Sequence, residues 1–120
     1  MDKAKQNLGG KSANSVTLEF IKADFSTYKF EEDEFNGFMM ANSMHFIKDK
    51  TALIGRLIKA LHPNGRIVII EYDTDSANNW VPFPISYKRL VAAFPDLSIK
   101  KIGERPSRFG RTMYCCEMIP

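Results

Sequence analysis

The chain has 120 residues, a formal net charge of +3, 44% hydrophobic residues and 26% charged residues. Such a length and composition predict one globular domain spanning residues 1–120, which excludes intrinsic disorder and a fibrous protein. The longest aliphatic run, Ile67 to Ile70, is too short to cross a bilayer, and no apolar stretch follows the N-terminal Met1. We therefore expect a cytoplasmic protein that does not bind membranes.

The first part of the chain predicts one helix and two strands. Asp2 to Leu8 are predicted to form a short helix that ends at the glycine pair Gly9-Gly10. The apolar and β-branched content of Val16 to Lys22 predicts a strand, and a solvated acidic loop, Ser26 to Glu34, follows it. Phe35 to Ala41 is an almost continuous apolar run, which is typical of a strand buried on both faces.

The second part predicts two helices and three strands. Lys50 to Leu61 repeat leucine at every fourth position, which predicts an amphipathic helix. Asp49 is expected to cap it, and a turn, His62-Pro63-Asn64-Gly65, is expected to end it. Ile67 to Ile70 then predict a fully buried strand. Ile85 to Phe94 predict a helix whose side chains Tyr87, Leu90, Val91 and Phe94 point toward the core.

The last two strands, Leu97 to Gly103 and Thr112 to Ile119, flank a short arginine-rich loop and predict an antiparallel hairpin. Cys115 and Cys116 are adjacent on the second of them, so they point to opposite faces and are expected to be structural thiols. The histidines and carboxylates show no metal-ligand spacing, and we expect no metal site.

Polar side chains follow three of the predicted strands at the points where the strands end. Asp24 follows the first strand, Asn42 and Ser43 follow the second, and Tyr72 and Asp73 follow the third. In an open α/β sheet, ligands bind outside the carboxyl ends of parallel strands, so these residues are predicted to line a binding crevice.

The order of elements, together with three segments, resembles the class I S-adenosylmethionine-dependent methyltransferases. The segments are Phe20 to Phe25, Met40 to Phe46 and Leu61 to Glu71. The resemblance covers nearly the whole chain and implies a partial Rossmann-like methyltransferase sheet, mostly parallel, with helices packed on it and a C-terminal antiparallel hairpin. It also implies cofactor contacts from Asp24 to the adenine amino group, from Phe25 to the ring, and from Asn42 and Ser43 to the methionine part.

The family's glycine-rich loop and the acidic residue that holds the ribose should both precede residue 1. Gly9-Gly10 cannot replace that loop, because they close a helix and follow no strand. We therefore expect a truncated methyltransferase-like domain whose isolated chain binds S-adenosylmethionine weakly or not at all. Exposed sheet edges further predict a homo-oligomer or a complex with an N-terminal partner chain.

Several residues have two readings. His45 is either a general base for methyl transfer or a hydrogen-bonding residue that orients a loop. Met44, Tyr72 and Asp73 are candidate substrate contacts, and Trp80 is predicted either to cover the substrate or to pack on the core.

The arginine-rich loop has two readings as well. Arg108 and Arg111 either recruit an anionic small-molecule substrate or act as solubilising charge, and so short a basic loop does not predict nucleic-acid binding.

Two functions remain open for the whole chain: methyl transfer to a small-molecule nucleophile, and a noncatalytic remnant that assembles with itself or with another protein.

Overall fold

The computed structural model describes residues 16–108 and 110–120, so the predicted helix Asp2 to Leu8 lies outside the described residues. One four-stranded sheet forms the centre of the described fold, in the order β1-β2-β4-β3. Two helices and a short 3₁₀ turn, Met44–Phe46, connect the strands. The strands are β1 (Phe35–Ala41), β2 (Leu61–Tyr72), β3 (Ser98–Pro106) and β4 (Thr112–Ile119); the helices are α1 (Lys50–Ala60) and α2 (Tyr87–Ala93).

The sheet is mixed, with three strands running one way and one strand running the other way. β1 pairs with β2 in parallel, and β4 is antiparallel to both β2 and β3. β1, β2 and β3 therefore all end at the same edge of the molecule, which we call the carboxyl rim. The predicted α/β class, the mostly parallel direction and the closing hairpin are confirmed.

Helix α1 forms where the leucine repeat predicts it and ends one residue earlier than predicted, at Ala60 instead of Leu61. The Asp49 side chain accepts a hydrogen bond from Ala52 N at 3.0 Å and so satisfies one of the free N–H groups of the first turn. Leu53, Ile54 and Leu57 are buried against the sheet. This helix therefore owes its position to one cap and one apolar stripe.

The predicted turn after α1 is present, but it is built into the start of β2. Leu61 pairs with Phe35 and Arg66 pairs with Gly37, so four residues of β2 bulge opposite one residue of β1. Asn64 adopts a positive φ of 70° in this bulge. A Cβ atom at Gly65 would lie 2.9 Å from the carbonyl oxygen of His62, so this close approach requires glycine.

The core lies on one face of the sheet, and both helices pack there. Ile67 and Ile69 of β2 are fully buried with Leu53 of α1 and Leu90 of α2, whereas Val68 and Ile70 are half-buried on the other face. The sequence prediction that β1 and β2 are buried on both faces is therefore wrong. No described element covers the second face, which we call the open face, and there the Met39 side chain of edge strand β1 is 73% exposed.

Two further sequence predictions are wrong. Residues Val16 to Lys22 form no strand, and Val16 and Ile21 are both about half exposed. A strand has no hydrogen bonds within itself, and no described strand pairs with this segment, so its β propensity has no ladder to join. Val91, predicted to point inward, is exposed on α2.

Neither helix of the described chain has the length and apolar character needed to cross a bilayer.

Candidate functional site

The ends of β1 and β2 lie side by side at the carboxyl rim. The Asn42 backbone N–H donates to the carbonyl oxygen of Ile70 at 3.0 Å, and Asn42 turns the chain with a positive φ of 55°. Ser43 follows at the start of the 3₁₀ turn, and the Met44 side chain is fully buried in the core. Asn42, Ser43 and Tyr72 therefore share one edge, as predicted for parallel strands, whereas Met44 faces the protein interior.

A buried histidine–carboxylate pair links the two strand ends. His45 Nδ1 lies 2.8 Å from Oε1 of Glu71, and the His45 backbone N–H donates to Oε2 at 2.9 Å. Only 5% of the His45 side chain and 2% of the Glu71 side chain are exposed. Oε1 also accepts a hydrogen bond from Tyr72 N at 3.2 Å. Both oxygens of the carboxylate are thus occupied by donors, as burial of a charged group requires.

Glu71 was not among the predicted site residues, although the sequence carries a signal for it. Ile67 and Ile69 occupy the buried phase of β2, and Glu71 is the next residue of that phase. A carboxylate in the buried phase of an apolar strand is rare unless it is paired. If the alternation of buried and half-buried residues along β2 is continued from Ile69 toward the carboxyl rim, it identifies Glu71 as a buried carboxylate.

A loop covers this pair from the side of α1. Phe83 N donates to the carbonyl oxygen of His45 at 2.9 Å, and Lys50 Nζ donates to the carbonyl oxygens of Phe83 and Ile47, each at 2.6 Å. Burial lowers the pKa of Lys50, and the nearby charge of Glu71 opposes that shift. We call residues 74–86 the covering loop. Lys50 and the backbone of His45 hold this loop over the pair.

Asp73, a predicted substrate contact, organises the start of α2. Its Oδ1 accepts a hydrogen bond from Tyr87 N at 2.9 Å, while Asp75 accepts from the Ser86 N–H and hydroxyl. Trp80, which was expected to cover the substrate or pack on the core, is 78% exposed and so does not pack on the core; its contact with a substrate stays a prediction. The neighbouring Val81 is buried and anchors the covering loop instead.

The arginine-rich loop between β3 and β4 also lies at the carboxyl rim. Asp73 N donates to the carbonyl oxygen of Thr112 at 2.8 Å, which joins this loop to the end of β2. Arg111 Nη1 donates to the carbonyl oxygen of Ser76 at 3.3 Å and is half-buried. Arg108 is exposed and forms no ion pair among residues 16–108 and 110–120. One arginine thus connects two rim loops, and the other projects into solvent.

A family model described as a methyltransferase domain matches residues 1–69, more than half of the chain. The chain belongs to the methyltransferase-domain family. The matched residues include Asp24, Asn42 and His45, and they end two residues before Glu71. No curated protein matches the chain.

Solved structures with this fold include several methyltransferases. The YcgJ protein from Bacillus subtilis aligns with a TM-score of 0.73 at 10% identity, over 98% of this chain and 75% of that protein. A SAM-dependent methyltransferase from Leishmania major aligns with a TM-score of 0.67 at 18% identity, over 96% of this chain and 50% of that protein.

A third neighbour is the 1,6-didemethyltoxoflavin-N1-methyltransferase from Burkholderia thailandensis, solved with bound S-adenosylhomocysteine. It aligns with a TM-score of 0.69 at 15% identity, over 98% of this chain and 54% of that protein. This methyltransferase-family chain therefore spans about half the length of two of these neighbours. At such identities the neighbours show the fold of the chain and nothing further.

The residues that the resemblance assigns to the cofactor occupy two places in this methyltransferase-family fold. Asp24 Oδ1 accepts hydrogen bonds from the N–H and hydroxyl of Ser26, which hold the pKa of this exposed carboxyl below its usual value. The carbonyl oxygen of Phe25 accepts from Arg56 of α1. No described contact joins Asp24 or Phe25 to Asn42 or Tyr72. The ligand chemistry expected of Asp24 is available, because Oδ2 is a carboxylate oxygen and can accept a hydrogen bond from an amino group.

Proposed function

We propose that this chain provides the C-terminal part of an S-adenosylmethionine-dependent methyltransferase site and that the site methylates a small-molecule nucleophile. The supporting observation is the His45–Glu71 pair. It lies where two parallel strands end, in a chain that belongs to the methyltransferase-domain family. Open α/β sheets bind their ligands at this edge.

The proposal gives the predicted cofactor residues and His45 separate tasks. Asp24 accepts a hydrogen bond from the adenine amino group, Phe25 lies beside the ring, and Asn42 and Ser43 border the methionine part. When bound, S-adenosylmethionine supplies a methyl group on a sulfonium sulfur, which leaves as a neutral thioether. His45 accepts the proton that the nucleophile loses. The covering loop limits access of water to His45.

The substrate we propose is a small anion. Arg108 is exposed at the carboxyl rim, and Arg111 is directed there by its contact with Ser76. Neither arginine forms an ion pair within the described residues, and Asp73 and Asp75 accept hydrogen bonds from the backbone N–H groups of Tyr87 and Ser86. The two guanidinium groups therefore favour a carboxylate or phosphate ligand.

Equilibrium titration of the 120-residue chain with S-adenosylhomocysteine tests the proposed cofactor. We expect saturable binding weaker than micromolar, since the residues assigned to the cofactor contact only part of it. Asp24→Ala should weaken it about tenfold, as the loss of one charge-assisted hydrogen bond does. Asp96→Ala, at an exposed position after α2, is the matched control and should not change the affinity.

Three results would contradict this proposal. Absence of saturable binding would contradict cofactor recognition, and equal affinities of the Asp24→Ala and Asp96→Ala variants would contradict the assigned contact. Micromolar binding by a monomer would contradict the expectation that contacts from elsewhere supply most of the affinity.

A second proposal concerns assembly, because strand β1 lies at one edge of the sheet formed by the described residues. We propose that two copies pair through their β1 strands, since none of the seven residues of β1 is charged and none is proline. Antiparallel pairing centred on Phe38 would place no like charges opposite each other. Light scattering coupled to size-exclusion chromatography should show a dimer, and Met39→Lys should give a monomer. Arg66→Lys, on the same face in β2, should leave the dimer intact. A soluble monomer at high protein concentration would contradict the proposal.

A further inference from the structure

The carboxylate of Glu71 is almost fully buried, and every described contact of its oxygens is to a hydrogen-bond donor or to the His45 ring. Two backbone N–H groups, those of His45 and Tyr72, point at the two oxygens. The third contact is His45 Nδ1, at 2.8 Å from Oε1. Donors converging on both oxygens are the surroundings of an ionised carboxylate, which can only accept hydrogen bonds.

This arrangement determines which nitrogen of His45 carries the proton. A carboxylate without a proton can bond to Nδ1 only if Nδ1 is the donor, so the neutral ring has its proton on Nδ1 and its lone pair on Nε2. Nε2 has no described hydrogen-bond partner. Among the described residues no fully buried side-chain nitrogen or oxygen lacks a hydrogen-bond partner, so Nε2 is not sealed from solvent.

We infer that Glu71 is a positioning residue: it holds His45 in the Nδ1–H tautomer and directs the basic Nε2 toward the substrate side of the carboxyl rim. The inference rests on the proposed function and names a residue that the sequence did not identify. Glu71 contacts His45 twice. Its Oε2 accepts a hydrogen bond from the His45 backbone N–H, which fixes the position of the 3₁₀ turn, and its Oε1 bonds to Nδ1, which fixes the rotation of the imidazole ring.

The His45–Glu71 pair can also take up the proton that the nucleophile loses during methylation. An O–H or N–H nucleophile loses one proton as it is methylated, and Nε2 takes that proton. His45 then becomes an imidazolium whose charge is balanced by Glu71 at 2.8 Å. Lys50 also lies near Glu71, and its contacts with Ile47 and Phe83 direct its ammonium to carbonyl oxygens. A pre-oriented base with a paired countercharge is the arrangement that general-base catalysis requires.

Nitrogen-15 NMR of the free chain tests the tautomer without any ligand. In mildly alkaline solution the two-bond and three-bond proton couplings of the His45 ring should identify Nδ1 as the protonated nitrogen. His62, which is exposed, provides the internal reference for an unconstrained ring. A His45 ring with its proton on Nε2 would overturn the inference, because Glu71 would then have to be the donor.

Glu71→Gln is the informative variant, since the amide keeps the shape of the side chain but replaces one acceptor oxygen with a donor. We expect the single tautomer to be replaced by a mixture in which the Nε2–H form rises from a minor to a comparable population. Glu117→Gln, on the open face of β4 beside Arg66, is the matched control and should leave the His45 signals unchanged. Identical His45 signals in Glu71→Gln and the parent chain would overturn the positioning role.

If Glu71→Gln does not fold, the tautomer of the parent chain still decides the question. A confirmed Nδ1–H tautomer in a chain that binds no S-adenosylhomocysteine would contradict the proposed methyltransferase function and leave the orientation of His45 standing. Binding of S-adenosylhomocysteine by a chain whose His45 carries its proton on Nε2 would contradict the positioning role of Glu71 and leave the proposed function standing. The two proposals therefore fail separately.

Discussion

Two adjacent thiols lie on opposite faces of β4 and should differ sharply in reactivity. Cys116 is fully buried, and this burial raises the pKa of its thiol to about 12, whereas Cys115 is half-buried on the open face. At neutral pH the thiolate fraction of Cys116 is then about 10⁻⁵, and the thiolate is the reactive form. We predict that a maleimide labels Cys116→Ser, which retains Cys115, and does not label folded Cys115→Ser. Labelling of both variants at similar rates, measured by mass spectrometry, would contradict this prediction.

Sequence reasoning found one member of the buried pair at the rim and missed the other. His45 was identified because histidine is chemically conspicuous after a strand, but both of its readings remained open. The structure shows the hydrogen bond that the second reading required, and it shows that Glu71 supplies it. A contact across 26 residues of chain cannot be inferred from local spacing, because it depends on the parallel pairing of β1 with β2. The contacts assigned to Asp24, Phe25, Asn42 and Ser43 remain predictions.

At the scale of elements, the cap of α1 gives a direct stability prediction. Asp49→Ala removes the acceptor of the Ala52 N–H and should lower the free energy of unfolding by about 1 kcal/mol. Urea denaturation followed by circular dichroism measures this change. Asp96→Ala, which removes an exposed carboxylate after α2, is the control, and an equal loss of stability in both variants would show that Asp49 contributes nothing specific as a cap.

The covering loop depends on Lys50, and its attachment can be tested by proteolysis. Lys50→Ala removes both hydrogen bonds to the carbonyl oxygens of Phe83 and Ile47, so the loop should open more often. We predict several-fold faster chymotryptic cleavage after Trp80, which is already exposed in the folded chain. Lys59→Ala, at the exposed end of the same helix, should be cleaved at the parent rate. Equal rates in all three proteins would show that Lys50 does not hold the loop.

Elements with their own local signals were predicted well, and elements that depend on a neighbour were not. The leucine repeat and cap of α1, the strand β1 and the closing strand β4 all appear within one residue of the prediction. Val16 to Lys22 has strand-like composition but forms none, because a strand needs a second strand and composition cannot supply it. The expected two-sided burial of β1 was wrong for the same reason: burial depends on what packs against both faces.

The described molecule as a whole is a two-layer structure, with helices on one face of the sheet and the open face on the other. The described residues leave the open face uncovered. Its apolar side chains form a patch across the sheet that includes Met39, Val68, Ile70, Ile102 and Met113. Exposed apolar surface of this kind is accessible to a hydrophobic probe, so it can be tested directly.

A hydrophobic dye should detect this patch in the folded chain and separate two modes of assembly. Pairing of β1 strands extends the sheet and leaves the open face exposed, so we predict that anilinonaphthalene sulfonate fluoresces with the native dimer. Ile102→Ser should lower the signal, because Ile102 is 53% exposed on that face, whereas Val91→Ser, 40% exposed on α2, should not. A dimer that binds no dye would instead indicate that two copies pack face to face, and dye binding unaffected by Ile102→Ser would place the apolar patch elsewhere. Near-native circular dichroism of each variant ensures that the signal reports the folded surface, because partly unfolded states bind this dye as well.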